Sequence, residues 1–236
     1  MSDAIDPDRM GPERIDRAVE HALTRRTDYG EERLDEAQLA EDPFVQFERW
    51  LGEADDRGVY EPNGMVLGTI GADGVPSSRT VLLRGVDHRG FVFYTDRSSR
   101  KGRALAAHAT ATLLFPWYLV HRQVIVTGAV EAVGDDESDA YWATRPYGSR
   151  IAASASRQSQ PIGSRAELED RVRALEEEYA GVDDIRRPER WGGYRVRPWR
   201  VEFWQGRTSR LHDRLVFERD PAGGPSAGWR VERLQP

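Results

Sequence analysis

Apolar residues recur at helical spacing in some stretches of this chain and at strand spacing in others. Ile15, Val19 and Leu23 lie four apart in a stretch, residues 1–40, that is otherwise charged and poor in large apolar groups; this predicts a polar, partly helical and partly mobile N-terminal segment. Asp42 followed by Pro43 supplies an N-cap and a first helical position, and Phe44, Phe47, Trp50, Leu51 and Ala54 then share one face of a helix that Gly58 ends. From Met65 the period shortens. Strands are predicted over 65–70, 78–86 and 91–95, joined by turns at Gly71-Ala72-Asp73-Gly74 and Asp87-His88-Arg89-Gly90. Ser98 is the candidate cap of a helix running to about His108, and strands follow over 110–115 and 123–133. Asp135 is the candidate cap of a helix that holds Tyr141 and Trp142 and stops at Pro146. Ser164 and Glu167 have capping-box spacing ahead of a helix with Leu168, Val172, Leu175 and Tyr179 on one face, closed by Gly181. The chain ends in strands over 194–196, 200–204, 215–219 and 229–234. Consecutive strands on tight turns, with helices inserted, predict a mainly β fold: a closed or nearly closed barrel decorated by helices, formed as one domain over 41–236. Strands and helices do not alternate as a doubly wound parallel sheet requires.

Composition narrows the chemistry. With 39% hydrophobic and 31% charged residues the chain is globular rather than disordered. It has no cysteine, which excludes thiol catalysis, disulfides and thiolate metal sites. A net charge of −6 argues against a nucleic-acid partner. The fairly apolar stretch 105–120 contains His108 and Pro116 and is too short and interrupted to span a membrane. The N-terminal stretch shows no apolar signal core, so a cytoplasmic protein is expected. There is no Gly-x-Gly-x-x-Gly run and no P-loop. Of the 34 basic residues only Lys101 is a lysine, a drift towards arginine that singles out the position where lysine survives.

Four clusters stand out. In Arg79-Thr80-Val81-Leu82-Leu83-Arg84, odd and even positions would face opposite ways; a solvated edge strand is the competing reading. Tyr94-Thr95, then Ser98-Ser99-Arg100-Lys101-Gly102, sets hydroxyls and cations at a helix start, which suits a phosphate and also suits an ordinary capped helix. Tyr141 and Arg145 share a helix face, with Ser149 in the turn beyond Pro146; this is a second compact phosphate site or an exposed helix end. Arg210, His212 and Arg214 alternate, so in an extended segment they share a face that needs an anionic partner, unless Asp213 or Glu202 supplies it.

Taken together, the chain closely resembles the pyridoxine/pyridoxamine 5′-phosphate oxidase family, from about Arg26 to the end. The pieces that carry the likeness are Leu114-Phe115-Pro116-Trp117, Arg122-Gln123, Arg157-Gln158-Ser159, Trp191-Gly192-Gly193-Tyr194, and Val201-Glu202-Phe203-Trp204-Gln205-Gly206 followed by Arg210-Leu211-His212-Asp213-Arg214. The resemblance implies a homodimeric split β-barrel that binds flavin mononucleotide (FMN) at sites built across the subunit interface. It implies flavin contacts from Arg79, Thr80, Val81, Leu82, Leu83, Arg84, Tyr94, Thr95, Arg100, Lys101, Gln123, Gln158, Ser159, Trp204 and Arg214. It implies that Arg84, Tyr141, Arg145 and Ser149 meet the substrate phosphate, that Arg210 and His212 border the reacting ring, and that Arg26 and Tyr29 belong to a segment closing over the substrate. The implied reaction is oxidation of pyridoxamine or pyridoxine 5′-phosphate to pyridoxal 5′-phosphate, with O2 as acceptor.

Three features depart from the family's pattern. Arg84 replaces a usual lysine, Glu61 a usual aspartate, and Ile151-Ala152-Ala153-Ser154-Ala155-Ser156 a run that usually carries Gly-Ala-Trp. Two alternatives stay open: a related split-barrel flavin oxidase of the phenazine-pathway type, and a non-catalytic flavin- or pyridoxal phosphate-binding protein.

Overall fold

The computed structural model describes residues 19, 22–24, 27–182, 184–222 and 228–236; Ile15 and Arg26 lie outside them. Residues 19 and 22–24 are helical, and the helix α1 (Pro43–Asp56) begins as the sequence predicts: the Asp42 carboxylate accepts from the Phe44 and Val45 N–H groups, and Pro43 needs no N–H there. Its buried face carries Phe44, Phe47, Trp50 and Ala54. Phe47 packs edge-on against Phe91 and Phe115 at 4.9 and 4.8 Å, and Trp50 against Phe203 at 5.2 Å.

Among the described residues the sheet has nine strands: β1 (Gly64–Ile70), β2 (Pro76–Leu82), β3 (Gly85–Asp87), β4 (Gly90–Asp96), β5 (Thr110–Trp117), β6 (Arg122–Ala132), β7 (Trp191–Gln205), β8 (Asp213–Glu218) and β9 (Arg230–Leu234). Every pair is antiparallel, in the order β2-β1-β5-β6-β7-β4-β3, with β8 on β7 and β9 on β8. The two strands expected over 194–196 and 200–204 are one strand, β7. Its one edge pairs with β6 over 194–205; its other edge holds β4 over 191–196 and β8 over 200–205. The sheet divides between them at Pro198, which has no N–H to donate. Gly128 faces this point across a register shift, where any Cβ would stand 2.3 Å from the Arg197 carbonyl oxygen.

Other boundaries moved for identifiable reasons. The expected strand 78–86 breaks at Leu83-Arg84, because the chain changes partner there: Leu83 N–H donates to Asn63 O and Arg84 N–H to Val92 O. The helix α2 (Arg100–Ala107) is capped by Ser99, which accepts from Gly102 N–H; Ser98 instead donates to Asp96. Gly134, not Asp135, is the N-cap of α3 (Asp135–Thr144), and the Asp135 carboxylate binds Arg187 at 3.0 Å. Pro146 ends α3 and also opens α4 (Tyr147–Ala155), so Ser149 lies in a helix rather than a turn. The helix α5 (Arg165–Glu178) is capped by Ser164 as expected. Trp142, Ile151, Ile185 and Trp191 form a second, smaller core among α3, α4 and the start of β7. No helix of the described residues is long and apolar enough to cross a membrane.

The N-terminal segment is tied to the other end of the chain. Leu34 is buried, its N–H donates to Asp213, and Arg233 on β9 binds Glu36 at 2.7 Å and Asp213 at 2.7 Å. The Arg233 hydrogen bond pulls the Glu36 carboxyl from 4.5 down to about 2. A carboxyl depressed on folding stabilises the fold above its unfolded value, and that contribution is lost as pH falls from about 4.5 towards 2. Glu36→Gln is therefore expected to lower the unfolding temperature at pH 6, with the difference from wild type vanishing near pH 2. Equal losses at both pH values would show that the carboxylate charge is not the source.

Candidate active site

The first candidate site is a cavity of about 490 Å³ where β2 and β4 meet α2, α3 and α4. From β2 and the crossover come Thr80, Val81, Leu82 and Arg84; from β4, Tyr94, Thr95 and Asp96; from α2, Lys101. Tyr141 and Arg145 reach it from the end of α3, and Ser149 from the first turn of α4. Gln158 completes the wall. The Lys101 ammonium donates to Thr95 Oγ1 at 3.2 Å and to Gln158 Oε1. Burial lowers its pKa, Arg79 adds to that, and Asp96 opposes it. Asp96, the carboxylate of the lining, already binds Arg190 at 3.0 Å and accepts from Ser98. Arg145 is lowered by burial, with Arg84 and Arg150 as cationic neighbours, and its Nη1 is buried with no hydrogen-bond partner. Arg84, Lys101 and Arg145 thus face a single, already engaged carboxylate, and this donor set suits phosphate groups.

The other predicted residues gather at the far end of β7. Gln123, Trp204 and Arg214 are cross-strand neighbours on β6, β7 and β8, so residues widely separated in sequence form one row on one face. The Arg214 Nε donates to Glu202 at 2.7 Å, and its Nη1 to Gln235 O at 3.0 Å. Beside the row lies a second cavity of about 560 Å³, lined by Thr27, Asp28, Tyr29, Arg207, Thr208, Ser209, Arg210 and His212. The Tyr29 ring stands edge-on to His121, Trp204 and His212 at 4.9, 6.0 and 5.6 Å. Thr208 N–H donates to Gly30 O, which seats this strap on the loop. Gly206 lies close beneath it: a Cβ there would lie 3.0 Å from the Tyr29 ring and press on it.

The loop itself corrects the alternation argument. Thr208–Arg210 is a tight 3-10 turn in which Ser209 and Arg210 have φ of 56° and 61°. Residues 206–212 link β7 to β8 and have no partner strand to hold them extended. Arg210 and His212 still line one cavity, through the turn, while Arg214 belongs to β8. Two consecutive left-handed non-glycine residues store strain of the kind found at functional loops. His212 Nδ1 accepts from Arg207 N–H at 3.0 Å, which leaves the proton of the neutral ring on Nε2. Burial and Arg210 hold its pKa below the ordinary histidine value.

Some predicted residues lie outside both cavities. Arg79 points to the opposite side of β2 from Thr80 and donates to Leu67 O, Thr69 Oγ1 and Ser77 Oγ. Leu83 is buried in the main core, and Arg100 and Ser159 are exposed. Glu61 sits in the turn before β1 and borders neither cavity. Ala152, Ala153 and Ser156, from the run that departs from the family's pattern, line the first cavity, as does Trp191. Trp191 opens a motif that the sequence displayed without assigning it a role.

Comparison with known proteins gives a consistent family. Residues 51–179 match the family model for pyridoxamine 5′-phosphate oxidase, and residues 191–236 match that for the pyridoxine 5′-phosphate oxidase C-terminal dimerisation region. The pyridoxine/pyridoxamine 5′-phosphate oxidase of Burkholderia multivorans is 56% identical over 211 residues, covering 89% of this chain and 97% of its own. That of Kineococcus radiotolerans is 51% identical over 226 residues, covering 92% and 100%. Among solved structures, PhzG from Burkholderia lata in complex with tetrahydrophenazine-1-carboxylic acid has a TM-score of 0.81 at 33% identity, covering 88% of this chain and 100% of its own. An FMN-binding protein related to pyridoxamine 5′-phosphate oxidase, from Nostoc punctiforme, has a TM-score of 0.64 at 16% identity, covering 84% and 100%, which is a likeness of fold.

Proposed function

The chain belongs to the pyridoxamine 5′-phosphate oxidase family, and from that premise we propose that it oxidises pyridoxamine or pyridoxine 5′-phosphate to pyridoxal 5′-phosphate with FMN as cofactor and O2 as acceptor. The observation that carries this reading is Arg145: a half-buried guanidinium with an orphaned buried N–H, beside Tyr141, Ser149 and Arg84. A phosphate-bearing substrate satisfies it; one without phosphate leaves it unpaired at a cost of a few kcal/mol.

The residues present also fit FMN. Lys101, Thr95, Gln158 and the β2 segment Thr80–Leu82 would hold its phosphate and one edge of the ring system, and Gln123, Trp204 and Arg214 the other side. The flavin supplies the two-electron acceptor for the substrate carbon bearing the amine or alcohol. The protein supplies position and field. Tyr141, Arg145, Ser149 and Arg84 fix the phosphate end. The Arg210 guanidinium offers only N–H donors and no acceptor, so it orients anionic groups and does not act as a base. Neutral His212 offers its Nε2–H as a hydrogen-bond donor, and the strap at Tyr29 covers the ring and excludes water.

These two groups of residues cannot meet on one chain. Tyr94 pairs with Gly193 and Gln123 with Trp204, and the eleven steps along β7 between those levels, at about 3.3 Å each, separate them by roughly 35 Å. The reading therefore requires a homodimer in which the first cavity of one protomer meets the far row and second cavity of its partner. The match to a dimerisation region over 191–236 supports it.

The test is spectroscopic. Purified protein should be yellow, and anaerobic pyridoxamine 5′-phosphate or pyridoxine 5′-phosphate should bleach it, with colour returning on admission of air. The likeness to PhzG motivates a second arm with a reduced phenazine carboxylate. Bleaching by that compound and not by the phosphorylated vitamers would overturn the proposal in favour of a phenazine-type oxidase. A yellow protein that neither compound bleaches would mark a non-catalytic flavin binder.

A further inference from the structure

Buried arginines in this protein are as a rule neutralised. Arg187 binds Asp135 and Asp139, Arg195 binds Glu137, and Arg122 binds Glu53. Arg145 is held differently. Its guanidinium carbon lies 4.7 Å from the centroid of the Trp191 ring and 5.0 Å from that of Trp142. The two indoles meet edge to face at 4.8 Å. Trp142 is locked by its Nε1–H, which donates to Ile185 O at 2.6 Å, and Trp191 by its place opposite Asp96 on β4. The Trp191 ring also runs parallel to Tyr141 and Tyr94, at 6.1 and 5.5 Å with interplanar angles of 6° and 9°. Gly193 makes room for this stack: a Cβ there would stand 2.8 Å from the Tyr94 ring. The Trp191-Gly192-Gly193-Tyr194 run thus places one aromatic ring against both Tyr141 and Arg145.

We propose that Trp191 is a positioning residue that sets Arg145 and Tyr141 for an incoming phosphate, and so determines preference for phosphorylated over phosphate-free substrates. The chemical reason lies in what a ring face does and a carboxylate does not. An aspartate or glutamate would fix the guanidinium by forming an ion pair, cancelling its charge and occupying its N–H groups. The negative faces of two indoles fix the plane of the cation through its quadrupole interaction and leave both the charge and the N–H edge available. The orphaned Nη1 is the group so preserved. The inference rests on the reading that Arg145 receives a substrate phosphate, and the probe separates the two ideas.

That probe is inorganic phosphate, titrated calorimetrically into flavin-loaded wild type, Trp191→Leu and Trp191→Phe, beside steady-state KM values for pyridoxamine 5′-phosphate and for pyridoxamine. Trp191→Leu is expected to weaken inorganic phosphate and to raise KM for the phosphorylated substrate by about 10- to 30-fold, the equivalent of a desolvated cation–π contact. KM for pyridoxamine should change far less, flavin content should be retained, and Trp191→Phe, which keeps a ring face, should restore most of the loss. Equal effects on phosphorylated and phosphate-free substrates would reduce Trp191 to a packing residue and overturn the inference. So would a leucine variant that binds phosphate like wild type, a phenylalanine variant no better than leucine, or a wild type that binds no phosphate. Failure of wild type to oxidise pyridoxamine 5′-phosphate while phosphate binding still follows Trp191 would sink the substrate reading and leave the inference standing.

Discussion

Arg145→Met is expected to lower kcat/KM for pyridoxamine 5′-phosphate by about 100- to 1000-fold, while leaving the protein at least as heat-stable as wild type. The first half follows from the contact. A guanidinium offers a phosphate two parallel charge-assisted hydrogen bonds, each worth about 1.5–3 kcal/mol where water is excluded; together they amount to roughly 3–4 kcal/mol of binding after reorganisation. The second half follows from what the folded apoprotein bears. Arg145 is desolvated, lies near the cations Arg84 and Arg150, and has an unpaired buried N–H. Methionine removes that burden and keeps the apolar stem against Trp142 and Trp191. Activity and stability should therefore move in opposite directions, as at other sites preorganised for a ligand. Arg145→Lys keeps the charge without the fork and should fall between the two. A methionine variant that loses activity together with a drop in unfolding temperature would mean that Arg145 supports the fold rather than the ligand.

How far the sequence disclosed this arrangement depended on whether the deciding interactions were local. The helix at Pro43 was legible because an N-cap, a proline and an apolar face lie within one short window. The strands of the barrel were legible because their alternation and turn residues are local too. The joining of 191–205 into one strand was not, because Pro198 reads as a break, and only the register shift opposite it on β6 shows that the chain continues. The helix α4 was missed because Pro146 reads as the end of α3, whereas it also opens a second helix, whose buried Ile151 and Ala155 lie one turn apart. In the site, Lys101 stood out through composition, and Tyr141 and Arg145 through helical spacing. Arg210, His212 and Arg214 were grouped on a strand face, whereas a left-handed turn brings only Arg210 and His212 to one cavity and Arg214 belongs to β8. Trp191 gave no local signal of its role, because its partners Tyr94, Tyr141 and Arg145 come from distant segments.

Two variants that are each inactive as homodimers are expected to recover about a quarter of wild-type turnover when their chains are mixed in one preparation. The pair is Arg145→Met, from the first cavity, and Arg210→Met, from the second. In a site shared across the two-fold axis, the first cavity of one protomer is completed by the loop of the other. In a mixed dimer, one of the two sites then receives both defects and the other receives neither. Random exchange makes about half of all dimers mixed, each with one intact site of two, which gives the quarter. Were each site built within one chain, every site in the mixture would keep one defect and turnover would not rise above that of the separate variants. The roughly 35 Å along β7 between the two groups excludes a small ligand touching both on the same chain. The measurement is turnover of pyridoxamine 5′-phosphate after co-expression, with differently tagged chains so that mixed dimers are isolated. Isolated mixed dimers should then show about half of wild-type turnover per dimer, with a wild-type KM, because the surviving site is unaltered. Recovery with the raised KM of either parent would instead mean that the loop acts on the first cavity indirectly, through the dimer contact, and that Arg210 does not border the substrate.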